Sequence, residues 1–138
     1  MNLSLHHIGI LVKDVSQSMQ GYVSMGYALA SDIIHDPIQT AIAQFLRLPG
    51  DSVFLELIAP NGPDSKLSNA LKKQPGFHHV CYSTPGIEGA CAALASEGWF
   101  LITPPVAAVA FPGRRIAWLR GADRLLVELV EAGPPGSL

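Results

Sequence analysis

Two histidines and two glutamates recur at a fixed spacing in this chain of 138 residues. His7 precedes Glu56 by 49 residues, and His79 precedes Glu128 by the same 49 residues. Imidazole nitrogens and carboxylate oxygens are common ligands of divalent metals. Both glutamates lie in apolar stretches, where burying an unpaired carboxylate is costly. The pattern therefore predicts one divalent metal held by all four side chains, with coordination positions left open for a substrate.

The four residues belong to an internal repeat with an offset of 72 residues. Shifting the chain by 72 positions without gaps matches Gly26 with Gly98, Leu29 with Leu101, Asp51 with Asp123 and Leu57 with Leu129. Such self-similarity indicates a duplicated supersecondary unit. We predict one copy over residues 4–59 and a second copy over residues 76–131.

Each copy has the pattern of a strand, a helix and three further strands. Residues 5–12 form an apolar run with β-branched residues, and Asp14 can cap a helix that ends at Gly26. Three strands are predicted next, at about residues 28–34, 40–48 and 52–59. In the second copy they fall at about 100–103, 115–119 and 125–131. We predict an α+β fold of two tandem βαβββ modules that form a pseudo-symmetric curved sheet.

The two copies are predicted to form one domain over residues 1–131. Pro60 and Pro63 interrupt the chain between the copies, and a short linker helix is predicted within residues 64–74. Residues 132–138 contain a Gly-Pro-Pro-Gly sequence and are predicted to be a disordered tail.

Composition and charge exclude several classes of protein. The net charge is −2, without the basic stripe expected of a nucleic-acid binder. No apolar run approaches the roughly 20 residues needed to cross a bilayer, and the first residues do not resemble a signal peptide. The two cysteines, Cys81 and Cys91, lie in no metal-binding spacing. We expect a cytoplasmic protein with reduced cysteines, no membrane contact and no nucleic-acid partner.

Four stretches of the sequence resemble the vicinal oxygen chelate superfamily, and within it the branch of methylmalonyl-CoA epimerase and glyoxalase I. They are His6-His7-Ile8-Gly9-Ile10, Gly62-Pro63-Asp64-Ser65, Gly76-Phe77-His78-His79-Val80 and Leu126-Val127-Glu128-Leu129-Val130-Glu131. The resemblance extends over most of the chain. It implies the glyoxalase-like fold and assigns the metal to the four residues that the repeat had already selected.

The resemblance also implies a reaction, in which a proton is removed from the carbon next to a carbonyl group. The substrate would be an acyl thioester or a hemithioacetal, and the enzyme an isomerase, epimerase or lyase. Glu128 would be both metal ligand and proton-transfer base. The metal would be Ni, Co, Mn or Zn, which all accept mixed imidazole and carboxylate ligands. Homodimers are common in the family, and we expect one here.

Further residues are predicted to contact the substrate. Arg114 and Arg115 could bind a phosphate or carboxylate group, and Gln39 and Gln44 could line the pocket. One position departs from the epimerase pattern, because Ala43 stands where some epimerases carry a second acid/base glutamate. Glyoxalase I can work with one base, but the arginine and asparagine pattern associated with glutathione binding is absent here.

Two other functions within the superfamily are considered. A metal-free protein that binds or sequesters small molecules would be expected to have lost ligand residues, whereas all four are present here. A ring-cleaving dioxygenase needs iron held by two histidines and one carboxylate. The additional ligand Glu56 argues against a dioxygenase.

Overall fold

The computed structural model describes residues 1–138, with nine strands and three helices. In chain order they are β1 (Ser4–Leu11), α1 (Val15–Ser24), β2 (Ala28–Leu29), β3 (Ile34–Asp36), β4 (Ala41–Arg47), β5 (Phe54–Pro60), α2 (Ser68–Lys73), β6 (Gly76–Thr84), α3 (Ile87–Ser96), β7 (Phe100–Ala107), β8 (Arg115–Arg120) and β9 (Leu126–Glu131). The predicted α+β class and the tandem βαβββ plan are confirmed, with β3 as an additional short strand in the first module.

The chain divides into two compact units. The N-terminal unit contains residues 7–78, and the C-terminal unit contains residues 79–138 together with residues 1–6. In the N-terminal unit the strand order is β2-β4-β5-β1, and β3 also pairs with β4. In the C-terminal unit the order is β6-β9-β8-β7. The first and last strands of each module pair in parallel, β1 with β5 and β6 with β9, while the other pairs are antiparallel.

In each unit one helix covers one face of the strands. In the N-terminal unit, Val15 of α1 packs with Leu46, Leu57 and Ala59. In the C-terminal unit, α3 contributes to a larger cluster formed by Ile87, Ala90, Cys91, Ala117, Leu119, Val127 and Leu129. The polar residues described below lie on the other face of each group of strands, where in the N-terminal unit α2 also packs.

The helix boundaries follow the sequence signals. Asp14 caps α1, since its carboxylate accepts a hydrogen bond of 3.1 Å from the backbone N–H of Gln17. Gly26 and Gly98 follow the two helices at matched positions with φ of 106° and 94°. Only glycine adopts this backbone conformation at little cost. The predicted helix end at Gly26 is therefore confirmed, and Gly98 ends the corresponding helix of the second module in the same way.

The strand predicted over residues 28–34 is wrong, because the structure breaks it into β2 and β3. Ser31 lies at the break. Its hydroxyl accepts a hydrogen bond from the backbone N–H of Phe45 and donates one to the carbonyl of Asp32. A side chain thus replaces the backbone acceptor at this point of the pairing with β4, a competition typical of serine.

Helix α2 and the tail differ in how they are held. Leu67, Ala70 and Leu71, at and within α2, pack against Leu11, Ala41 and Ile58. The tail is held by hydrogen bonds, with the N–H of Ala132 donating to Thr84 and a guanidinium N–H of Arg114 donating to Leu138.

The boundaries of domain, linker and tail remain predictions. None of the three helices has the length and apolar character required of a bilayer span.

Candidate metal centre

In the N-terminal unit, His7 and Glu56 lie together on neighbouring parallel strands. His7 of β1 pairs with Phe54 of β5, and Gly9 pairs with Glu56. The histidine and the glutamate are therefore diagonal neighbours on one face of the strands. Their Nε2 and Oε1 atoms are 3.5 Å apart. Both residues are buried, with exposed fractions of 0% and 7%.

In the C-terminal unit, His79 and Glu128 repeat this arrangement. Cys81 of β6 pairs with Glu128 of β9, and His79 precedes Cys81 by two residues on the same face. The distance between His79 Nε2 and Glu128 Oε1 is 3.6 Å. The exposed fractions are 0% and 5%. Each predicted His–Glu pair is thus brought together within its own unit, with closely similar geometry.

The separation within each pair suits metal ligands better than a direct hydrogen bond. A charge-assisted N–H to carboxylate bond measures about 2.7–2.9 Å, whereas the two pairs measure 3.5 and 3.6 Å. Two donor atoms that each bind one ion at about 2.1 Å lie roughly 3.0–3.4 Å from each other. The measured separations lie just beyond this range, so the donor types and spacing of each pair suit ligands of a divalent cation after a small adjustment.

An aromatic ring accompanies each pair, and the sequence analysis did not identify either ring. Phe45 contacts His7 edge-on, with ring centroids 5.1 Å apart. Trp118 contacts His79 in the same way, at 4.9 Å. The offset of 72 residues matches Trp118 with Leu46 and so conceals the correspondence. The loop before the last strand has one residue fewer in the second module, and an offset of 73 residues reveals the match.

Arg115, a predicted substrate ligand, lies on the helix side of its strands. Its guanidinium bonds Glu131 at 3.0 Å and Glu88 of α3 at 2.6 Å. These hydrogen bonds hold the pKa of both carboxyl groups below the usual glutamate value. They also raise the pKa of Arg115. The structure therefore places Arg115 with two carboxylates on the face opposite Glu128.

Arg114, the other predicted arginine, contacts Phe111 and the end of the chain. Its guanidinium lies 5.0 Å from the Phe111 ring centre and donates to the carbonyls of Glu131 and Leu138. Burial lowers the pKa of Arg114. The guanidinium is thus held by contacts within the chain.

Of the two predicted glutamines, Gln44 does not lie with Glu56. Gln44 pairs with Leu57, so its side chain is on the α1 face, where it donates to the carbonyl of Ser31 at 3.0 Å. Gln39 lies before β4, and its backbone N–H donates to Asp36. Ala43 shares the face of Glu56 and is 4% exposed. The position expected for a second acid is thus occupied by a buried methyl group.

Comparison with known proteins places this geometry in a family. The family model of the Glyoxalase/Bleomycin resistance protein/Dioxygenase superfamily matches residues 6–118. The match includes His7, Glu56 and His79 and ends before Glu128. The mitochondrial methylmalonyl-CoA epimerase of Dictyostelium discoideum is 28% identical over 131 residues, which cover 92% of this chain and 77% of that protein.

Solved structures show the same fold. The methylmalonyl-CoA epimerase of Mycobacterium tuberculosis is 27% identical, with a TM-score of 0.83 over 94% of this chain and 88% of that one. A Streptomyces coelicolor methylmalonyl-CoA epimerase variant in complex with 2-nitronate-propionyl-CoA is 24% identical, with a TM-score of 0.81 over 94% of each chain. The glyoxalase-like fold is thereby confirmed, and the chain belongs to the Glyoxalase/Bleomycin resistance protein/Dioxygenase superfamily.

Proposed function

We propose that this protein is a metal-dependent isomerase that moves the proton on the carbon next to the carbonyl group of an acyl-CoA thioester. The observation that carries the proposal is the pair of matched His–Glu contacts, 3.5 and 3.6 Å long, at buried positions of two duplicated modules. Similarity to methylmalonyl-CoA epimerases supports the same reaction class.

The two pairs are proposed to hold one divalent cation in common. Two neutral imidazoles and two carboxylates balance the charge of such an ion. The ion therefore offsets the free-energy cost of burying both carboxylates. Ni, Co, Mn and Zn are the candidate metals. When bound, the cation would polarise the substrate carbonyl and stabilise the negative charge that develops on its oxygen.

The protein residues have separate parts in the proposed reaction. The imidazoles of His7 and His79 would bind the cation and fix its position. The burial of the surrounding residues excludes water. Glu128 accepts the substrate proton on a carboxylate oxygen, and the isomerisation is completed when a proton is delivered to the opposite face of the same carbon. Glu56 remains a ligand. This assignment of the base follows the family resemblance.

Methylmalonyl-CoA is the first substrate to test. The epimerases named above are similar to this chain, and the Streptomyces structure holds a nitronate analogue of an acyl-CoA. A thioester lowers the pKa of the adjacent C–H, so that one carboxylate and one cation can suffice for proton removal. We expect a cytoplasmic homodimer, and both expectations remain predictions.

A second candidate is the lactoylglutathione lyase reaction on a hemithioacetal. The methyl group of Ala43 on the face of Glu56 favours it. Epimerisation requires a proton on the opposite face of the carbon, whereas the lyase reaction needs only one base. This candidate predicts that the same two His–Glu pairs support turnover of the methylglyoxal–glutathione adduct.

Solvent-deuterium exchange tests the two candidates side by side. The metal-loaded protein would be incubated in D₂O with methylmalonyl-CoA or with the methylglyoxal–glutathione adduct, and the products followed by NMR. The proposal predicts metal-dependent incorporation of deuterium next to the thioester carbonyl, abolished by a chelator. Conversion of the adduct alone would favour the lyase. No exchange with either compound would reject proton transfer of this kind.

A further inference from the structure

The residue directly opposite each glutamate is aromatic in both units. On β4, Phe45 pairs with Glu56 of β5. On β8, Trp118 pairs with Glu128 of β9. Directly paired residues of antiparallel strands have side chains on the same face, close enough to interact. The rings contact His7 and His79 at interplanar angles of 79° and 78°. Each unit therefore contains its own three-residue cluster of a histidine, a glutamate and an aromatic residue.

The two clusters differ at one atom that can donate a hydrogen bond. The indole Nε1 of Trp118 is buried and has no hydrogen-bond partner. Burying an N–H group without an acceptor loses its hydration, so such groups in native proteins call for an explanation. The ring of Phe45 carries no polar atom. The C-terminal cluster thus contains a buried donor that the N-terminal cluster lacks.

Glu128 is the acceptor that best suits this donor. It lies directly across from Trp118 on the same face, and both side chains contact His79. A carboxylate has about four lone-pair sites, so it can bind an ion and still accept an N–H bond. Because Nε1 is buried, a group already inside the cluster can reach it more readily than an incoming ligand can.

We infer that Trp118 is a positioning residue for the base, an inference that rests on the proposed function. The indole N–H group of Trp118 neither gives up its proton nor takes one during the reaction. It donates a hydrogen bond to the Glu128 carboxyl group when that group turns towards the substrate to take the proton from carbon, and it holds the group in that position while it carries the proton. The ring opposite Glu56 is that of Phe45, which carries no N–H group. The duplicated glutamates are thereby given different tasks.

Replacement of the N–H group tests this role. Two forms are compared with the wild type: Trp118→Phe, which copies the ring found beside His7, and a form with benzothienylalanine at position 118, which keeps the shape of indole but replaces N–H by sulfur. Trp99→Phe is the control, since Trp99 is the only other tryptophan and packs in the α3 cluster. Metal affinity, KM and kcat for deuterium exchange would be measured for each.

We expect kcat to fall roughly ten- to hundredfold in both N–H-free forms, the effect of losing one hydrogen bond to a charged group. Metal affinity and KM should stay within about twofold, because ring packing on His79 is retained. A benzothienylalanine form with wild-type kcat would overturn the inference, as would equal losses in the control. Absence of exchange in the wild type would instead overturn the proposed function.

A spectroscopic measurement tests the hydrogen bond independently of turnover. The protein gives two indole N–H signals in a ¹H–¹⁵N spectrum, from Trp99 and Trp118. Addition of 2-nitronate-propionyl-CoA to the zinc-loaded protein should move the Trp118 proton downfield and leave Trp99 unchanged. In Glu128→Asp, whose carboxylate is one methylene shorter, the shift should shrink. An unchanged shift in that variant would mean that the N–H bonds the analogue, and would contradict the inference.

Discussion

The N-terminal and C-terminal units hold their His–Glu pairs in the same way but surround them with different residues. The paired strands, the distances of 3.5 and 3.6 Å and the edge-on ring are common to both. Beside the glutamate, however, the N-terminal unit has Gly9 and Phe45, whereas the C-terminal unit has Cys81 and Trp118. Duplication thus preserves the geometry of the His–Glu pair, while the neighbours of each carboxylate are free to diverge.

This difference shows that matched His–Glu pairs need not have matched roles. A metal site requires only that both carboxylates bind, so the duplicated geometry suffices for it. Proton transfer requires one carboxylate to move and to be held in two positions, which depends on its neighbours. The C-terminal surroundings, which include a buried polar group, suit the second task.

The largest expected effect distinguishes the two glutamates. Glu128→Gln should lower the rate of deuterium exchange by roughly 10²- to 10⁴-fold, because an amide cannot accept the proton. Glu56→Gln should cost no more than about tenfold, since the amide oxygen can still bind a metal. Metal content would be measured in both variants so that loss of the ion is recognised. Equal losses of rate at equal metal content would contradict the different roles.

A second comparison concerns the packing of the helices. Leu57 and Leu129 are matched by the repeat, and both have an exposed fraction of 0%. Truncation of either to alanine should lower the free energy of unfolding by about 2–5 kcal/mol. Urea denaturation would measure the loss. Similar values would support equivalent packing of α1 and α3, and a loss confined to one variant would show that the units are stabilised differently.

The smallest effect concerns Arg115, whose contacts with Glu88 and Glu131 have no counterpart at Ala43 or Ile42 in the first module. Arg115 holds the pKa of both carboxyl groups below the usual 4.5. Its contribution to stability should therefore be fully present above about pH 4.5 and be lost progressively as the pH falls from there through the lowered folded-state pKa values of the two acids.

Thermal unfolding of Arg115→Gln from pH 7 to pH 3 would measure this contribution. The variant should be slightly less stable than the wild type at pH 7, and the difference should shrink as the pH falls from about 4.5 towards 3. Arg120→Gln is a suitable control, because Arg120 of the same strand bonds only a carbonyl, that of Arg124. A difference that grows on acidification would contradict the assignment.

The sequence predicted the modules and the two His–Glu pairs because both depend on local patterns. Apolar alternation fixes which residues share a strand face, and the equal His-to-Glu spacing survives because the strands keep their register. Gly26 and Gly98 ended the helices as expected, since their positive φ is a strong local constraint. These features need no knowledge of distant contacts.

Other residues could not be placed from local patterns. The break at Ser31 depends on a hydrogen bond from Phe45, which is 14 residues away. Arg115 was assigned to the substrate, although its strand position puts it with Glu88 on the helix side. Trp118 was missed because a one-residue difference in loop length shifted the repeat. Each case depends on tertiary contacts or register that composition and periodicity do not encode.

The claim on which the account depends is that the two pairs share a single cation. Protein stripped of metal and then loaded with zinc or nickel would be analysed by mass spectrometry for metal per chain. We predict one ion per chain in the wild type, lost almost entirely in His7→Ala and also in His79→Ala. Two ions per chain, each removed by only one of the substitutions, or no bound metal in the wild type, would contradict the claim.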